Sequence, residues 1–327
     1  MGYGLIYAFM NAGIVLMGWL SSYVRPGVQN IIDSRTTTEP MSPSLLTPLA
    51  DHTRSGVHAM IWICTGITAL ALVLFSVIMT RKRENEKIRP DPIEQMRKAD
   101  KRRIGQRLAS YFLDGPFANP RFIFFIFMLL PVRTLFAHQW LTLPDYILRS
   151  YSKQVADNME IIAESLNPAI IFFGVPIATA LTRHVNIYTM MIIGTLVSAA
   201  PTFLLCAGPN LNLLLAYITF FSIGEALWSA RFLEYASELA PEGRVAQYMG
   251  LANIPWLLAK GTTGFYSGVL LSRYCPADTP KEMLHTETLW FIYGCIAMLT
   301  PIGLLLARRW VMRDLHSGVK PKTASVT

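Results

Sequence analysis

The chain has 327 residues, of which 52% are hydrophobic and only 15% charged, against about 25% charged in an ordinary soluble domain, so it has too few charges to coat a water-soluble globule. Its formal net charge of +8 is concentrated in short basic stretches beside long apolar runs, which excludes a nucleic-acid-binding surface as the ready reading and points to membrane-flanking loops. The four cysteines (Cys64, Cys206, Cys275 and Cys295) have no metal-ligand or disulfide spacing and read as small buried hydrophobes.

Crossing a hydrocarbon core of roughly 30 Å takes about 20 apolar residues. In chain order, such stretches fall near 4–24, 57–80, 121–143, 159–181, 185–207, 211–233, 246–272 and 287–309. The first has no basic segment before it and no small-residue cleavage site after it, so it reads as a spanning helix and not a signal peptide. Pro131, Pro176, Pro201, Pro255 and Pro301 lie inside these stretches, where neighbouring helices are expected to satisfy the carbonyls they leave free. The fold class expected is therefore all-α, a polytopic membrane protein of about eight transmembrane helices.

Orientation follows from the connections. Segment 81–107 is by far the most basic and is expected in the cytoplasm. Alternation then places 181–184, 234–244 and the C-terminal tail on the same side, with 25–56, 208–212 and 273–286 outside. Both termini are thus expected to be cytoplasmic. Within the basic linker, Ile93, Met96, Ile104, Leu108, Tyr111 and Phe112 recur at helical spacing, which suggests an amphipathic helix on the inner membrane surface.

Three stretches carry a family pattern. YAFMNAG (7–13) resembles the aromatic-rich signature with Asn and Gly on the fifth helix of the proton-coupled oligopeptide transporters of the major facilitator superfamily. ESLNPAIIFFGVPI (164–177) resembles that family's eighth helix, and GEALWSARFLEYASELAPEGRVAQYMGL (224–251) its tenth helix and the turn beyond. One position departs: the family's Ser-Pro is Ser229–Ala230 here. The resemblance implies a partial major facilitator fold equivalent to helices five to twelve. Its expected parts are two N-bundle helices (1–80), a basic linker (81–120), a six-helix C-terminal bundle (121–309) and a tail (310–327). The family's first four helices, with their proton-coupling and carboxylate-gripping residues, have no counterpart. A start codon placed too late or a truncated paralogue would account for that, and the chain alone is expected to show no coupled peptide uptake.

Ionisable groups deep in a membrane are costly and are functional candidates by default. Glu225 lies well inside its apolar helix with Ser229 one turn on, and the resemblance implies that Glu225 and Asn167 hold the amino group of a bound peptide. A purely structural Glu225, fixed by a hydroxyl or by Lys260, is the alternative, and Asn167 can equally glue two helices. Gln139, Trp228 and Trp256 complete the expected substrate-binding set. His138 stands where the family carries an acidic or aromatic residue, so it reads either as a proton carrier or as a satisfied core histidine. Arg133 is expected to pair with Glu164 or Glu225 or to line the aqueous path, and Lys260 to pair with Glu225 or else to snorkel on the lipid side, with Gly261 and Gly264 beside it permitting close helix approach. The implied function is proton-coupled symport of di- or tripeptides or similar zwitterionic solutes by alternating access, with protons and the bilayer as partners and no cofactor, metal or nucleic acid. The alternatives are a non-transporting regulatory or assembly partner, or a transporter of nitrate, amino acids or another small solute. An enzyme is not indicated.

Overall fold

The structure, a computed structural model, describes residues 2–35, 45–78, 115–241 and 244–312. The basic segment 81–107 with its expected amphipathic helix, and the tail beyond 312, lie outside the described residues. Among those described there are helices and no strands. The eight long ones are α1 (Gly2–Ser34), α2 (Gly56–Ile78), α3 (Pro120–Leu141), α4 (Ile161–Leu181), α5 (Ile187–Ala207), α6 (Leu211–Glu238), α7 (Ile254–Tyr274) and α8 (Thr286–Met312). Six of them, α2 to α6 and α8, are long and apolar enough to cross a membrane. The other two, α1 and α7, are long enough but more polar: Asn11, Ser21 and Ser22 dilute the first, Lys260, Thr262 and Thr263 the second.

Several boundaries differ from expectation. Helix α1 continues through Pro26 to residue 34, ten residues past its expected end, and so shortens the connection to α2. The stretch expected as one helix from 246 is two, Val245–Leu251 and α7, because Pro255 sits in the first turn of α7 and cannot donate backward to an earlier carbonyl. Helices α3, α5 and α6 begin where an asparagine cap predicts. Asn119, Asn186 and Asn210 each accept from two backbone amides of the first turn that would otherwise lack partners.

The chain divides into two compact units, residues 1–15 with 102–327, and residues 16–101. The first fifteen residues thus group with the six C-terminal helices. In the smaller unit Val24, Val28 and Ile31 line one face of α1 and pack on Ala50, Ala59 and Met60. Gly56 begins α2 so close to α1 that a Cβ would stand 1.9 Å from the Arg25 carbonyl oxygen. From 61 to 78 no side chain of α2 is buried, and a helix apolar on every face suits lipid rather than water.

The larger unit is built on close helix crossings. A Cβ on Gly224 of α6 would lie 2.3 Å from the Ser198 backbone nitrogen of α5, and one on Gly194 would lie 2.7 Å from Trp228 Cβ. Small residues four apart let the two backbones approach, the usual means of association where no hydrophobic effect separates helix from lipid. Pro131 breaks α3 at Leu129. Thr300 of α8 repairs the gap: its hydroxyl donates to the Met128 carbonyl at 2.8 Å and accepts from the Val132 amide at 3.0 Å. The core between α3, α6 and α8 is aromatic, with Phe122, Phe125, Tyr217, Phe221, Trp290 and Tyr293 fully enclosed.

Hydrogen bonds tie the connections together at each end. Arg149 donates to the Cys275 carbonyl at 2.7 Å, Lys281 to that of Tyr151, and the Tyr151 hydroxyl to that of Asn210. At the other end Arg231 donates to the Thr182 carbonyl at 2.9 Å, just past the C-terminus of α4, and also pairs with Glu234. The α3–α4, α5–α6 and α7–α8 connections therefore share one end of the unit.

Candidate functional site

Glu225 is the one buried carboxylate among the described residues, 3% exposed. Helical spacing puts Ser222, Glu225 and Ser229 on one face of α6, while Gly224 turns toward α5. The two halves of the Gly-Glu pair thus do different things: the glycine admits a neighbouring helix, and the glutamate faces α4 and the start of α1. From α4, the Asn167 amide gives one N–H to Glu225 Oε2 and the other to Ser222 Oγ, both at 2.9 Å. Ser222 in turn donates to the Ile218 carbonyl. From α1, the Tyr7 hydroxyl donates to Glu225 Oε1 at 2.5 Å, and Asn11 holds that turn by bonding the Tyr7 carbonyl at 2.8 Å. Immediately before Asn167, residues Glu160–Ser165 form a π-helical turn, a feature often found at functional sites. Apolar contacts of Ile171 and Val175 with Ala226 and Ala230, and of Tyr7 with both, fix the three segments together.

Both carboxylate oxygens of Glu225 are therefore met by neutral donors, and among the described residues no cation touches them. The expected pairing with Lys260 is not formed. Lys260 is exposed, and its ammonium lies over the rings of Trp140 and Trp256 at 4.7 and 4.9 Å. The glycines beside it, Gly261 and Gly264, face open space within 4 Å of where a Cβ would stand, so they do not serve close packing. Among the described residues Arg133 has no carboxylate partner either. It is buried, its Nε has no hydrogen-bond partner, and its guanidinium lies 4.3 Å from the Phe232 ring, with Trp228 at 5.9 Å and Trp256 at 6.0 Å. The side chain of Glu164, its other expected partner, lies outside the described residues.

His138 is wholly enclosed. Its Nδ1 meets Thr142 Oγ1 at 2.8 Å, its Nε2 meets the Tyr266 hydroxyl at 3.0 Å, and the ring stacks on Tyr293 with centroids 3.7 Å apart. With both nitrogens occupied and no carboxylate in contact, this geometry supports the core reading over the proton-carrier one. Gln139 lies apart from Glu225: its amide reaches the Tyr217 hydroxyl only at 3.5 Å and its carbonyl oxygen has no partner. Ser229 sits within electrostatic reach of the Tyr7 hydroxyl but makes no well-formed hydrogen bond. Trp228 gives its indole N–H to Ser198 at 3.3 Å and so is committed to the α5 crossing, while one ring face looks toward Arg133.

Of the residues expected at a site, Glu225 and Asn167 meet directly, with Ser229 beside them. Arg133, Trp228 and Trp256 form an adjoining group, and His138, Gln139 and Lys260 lie elsewhere. Ser222 and Tyr7 were not expected there. Ser222 was within reach of the sequence, three residues before Glu225 on the same face. Tyr7 stands in an aromatic-rich stretch whose rings look alike until the fold selects one. An apolar recess lined by Ala8, Phe9, Phe172, Phe173, Pro176 and Ile177 opens beside Tyr7; lacking polar groups, it suits an acyl chain better than a polar solute. No family model, no curated protein and no solved structure matches the chain.

Proposed function

We propose that the chain is the solute-binding part of a secondary transporter that takes small peptides or similar zwitterions, in keeping with its resemblance to the proton-coupled oligopeptide transporters. The observation that carries this reading is Glu225, a carboxylate inside an apolar bundle whose only hydrogen-bond partners among the described residues are the neutral Tyr7 hydroxyl and Asn167 amide. Glu225 in such surroundings calls for a cation or a proton. A solute ammonium supplies the first when solute is bound, and a proton the second when the site is empty. Helices able to rock about a binding group near mid-membrane provide alternating access.

The test is binding of L-alanyl-L-alanine to the purified chain in lipid nanodiscs, beside its N-acetyl analogue. Glu225→Gln keeps the shape and removes the charge. Charge-assisted bonds contribute about 1.5–3 kcal/mol, and about 1.4 kcal/mol is tenfold in affinity. The dipeptide should weaken about ten- to a hundredfold in the variant, while the acetylated analogue, weak from the start, changes little. An unchanged preference for the free amine in Glu225→Gln removes the reading.

A further inference from the structure

Arg133 presents the complementary problem. It is 6% exposed, so its charge cannot snorkel to water, and among the described residues no carboxylate lies within ion-pair distance. Its Nε lacks any hydrogen-bond partner. The rings of Phe232, Trp228 and Trp256 around the guanidinium offer cation–π stabilisation, but aromatic faces accept no hydrogen bonds in the plane of the fork, where Arg meets an anion in bidentate fashion. A buried charge without a counter-charge is unfavourable, and this one stands in a bundle that also holds a carboxylate without a cation.

The two are neighbours along α6. Trp228 and Phe232, which flank the guanidinium, lie three and seven residues beyond Glu225, or about 4.5 and 10.5 Å at 1.5 Å per residue. Tyr7, bonded to Glu225, is within electrostatic reach of Arg133. The rings that flank the guanidinium thus stand roughly 5–10 Å further along α6 than Glu225, and the two charges form no ion pair. A two-residue peptide spans about 7 Å between its ends at 3.3–3.6 Å per residue, a length within that offset.

We infer that Arg133 binds the carboxylate of the solute whose ammonium Glu225 holds, so that one helical bundle reads both charges of a small zwitterion. The inference rests on the proposed role of Glu225. It makes Arg133 the determinant of preference for a free carboxyl end, through a bidentate pair that a carboxamide cannot reproduce.

The experiment compares L-alanyl-L-alanine with its C-terminal amide and its N-acetyl analogue, on the full chain in nanodiscs. Wild type should bind the acid ten- to a hundredfold more tightly than the amide. Arg133→Gln should reduce the acid to the level of the amide, leave the amide unchanged and keep the preference for a free amine. Arg133→Lys, with the charge but not the fork, should weaken the acid about tenfold and the amide hardly at all. Equal binding of acid and amide by wild type overturns the inference, as does a preference for the acid that survives Arg133→Gln, the result expected if Glu164 were a permanent partner of Arg133. If Arg133→Gln does not fold, Arg133→Lys decides: equal weakening of acid and amide assigns Arg133 a structural role. A loss confined to discrimination at the amine end in wild type overturns the Glu225 reading instead, since the acid-over-amide preference would remain.

Discussion

At the scale of single residues, the constellation turns on a phenol that feeds a carboxylate. Tyr7→Phe deletes one hydroxyl and leaves Glu225 with the Asn167 amide alone. Hydrogen bonds to charged groups contribute about 1.5–3 kcal/mol in soluble proteins. Measured couplings between membrane helices average only about 0.6 and reach about 1.7 kcal/mol, because unfolded helices in lipid find other partners. The second figure governs here, since all three segments lie in the apolar bundle. A double-mutant cycle of Tyr7→Phe with Glu225→Gln, read by reversible unfolding in detergent, should therefore give a coupling of about 1 kcal/mol. A coupling indistinguishable from zero would mean that the phenol and carboxylate do not share a proton-mediated contact in the protein. Glu225 and Asn167 were legible in the sequence because an ionisable or amide group deep in an apolar run is costly enough to need a reason. Their partners were less so. Lys260 looked like the natural counter-charge from its place in mid-helix, but a long flexible ammonium can leave the bundle and rest on tryptophans at its surface, which is what it does.

Helices reveal their existence in composition and conceal their contacts. The described residues of the eight expected stretches are helical apart from short breaks, since a single apolar run satisfies its own backbone in lipid by forming a helix. Their ends and breaks depended on tertiary partners: Thr300, far along the chain, lets α3 pass Pro131, and Arg231 finishes α4 from α6. Glycines show the same limit. Gly261 and Gly264 were expected to permit close helix approach and face nothing, whereas Gly224, read only as part of a family signature, sits against the backbone of α5. The contrast is testable. Gly224→Ala places a methyl 2.3 Å from the Ser198 nitrogen, a backbone atom that cannot rotate away; overpacking of this kind costs about 1–3 kcal/mol. Gly261→Ala meets open space and should leave stability unchanged or raise it by up to about 1 kcal/mol through helix propensity. Unfolding free energies for the two variants should differ in sign or by more than about 1 kcal/mol. Equal costs would mean that α5 and α6 do not cross at Gly224.

At the scale of the whole molecule, sidedness can be read from two independent sources. Hydrogen bonds join the α3–α4, α5–α6 and α7–α8 connections at one end of the larger unit, through Arg149 with Cys275, Lys281 with Tyr151, and Tyr151 with Asn210. Arg231 and Thr182 join the α4–α5 and α6–α7 ends opposite. This is the strict alternation that six antiparallel helices require, and composition alone had suggested it. Absolute orientation rests on charge. The charge pattern predicts it: Arg183, Arg244, Arg308, Arg309 and the basic run 81–107 fall in alternate connections along the sequence, and short loops rich in Lys and Arg are expected in the cytoplasm. The extension of α1 to residue 34 narrows where an external probe can be placed: the connection to α2 is now 35–55 and not 25–56. Single cysteines placed at residue 40 and residue 279, in a background with the four native cysteines replaced, should react with a membrane-impermeant maleimide in intact cells. Cysteines at residue 95 and at the C-terminus should react only after permeabilisation. Labelling of residue 95 in intact cells would invert the assignment for the loop that carries most of the charge. Labelling of residues 95 and 279 from the same side would be more damaging, because the five helices α3 to α7 between them would then not make an odd number of crossings, and the end-to-end hydrogen bonds of the bundle could not all form in one membrane protein.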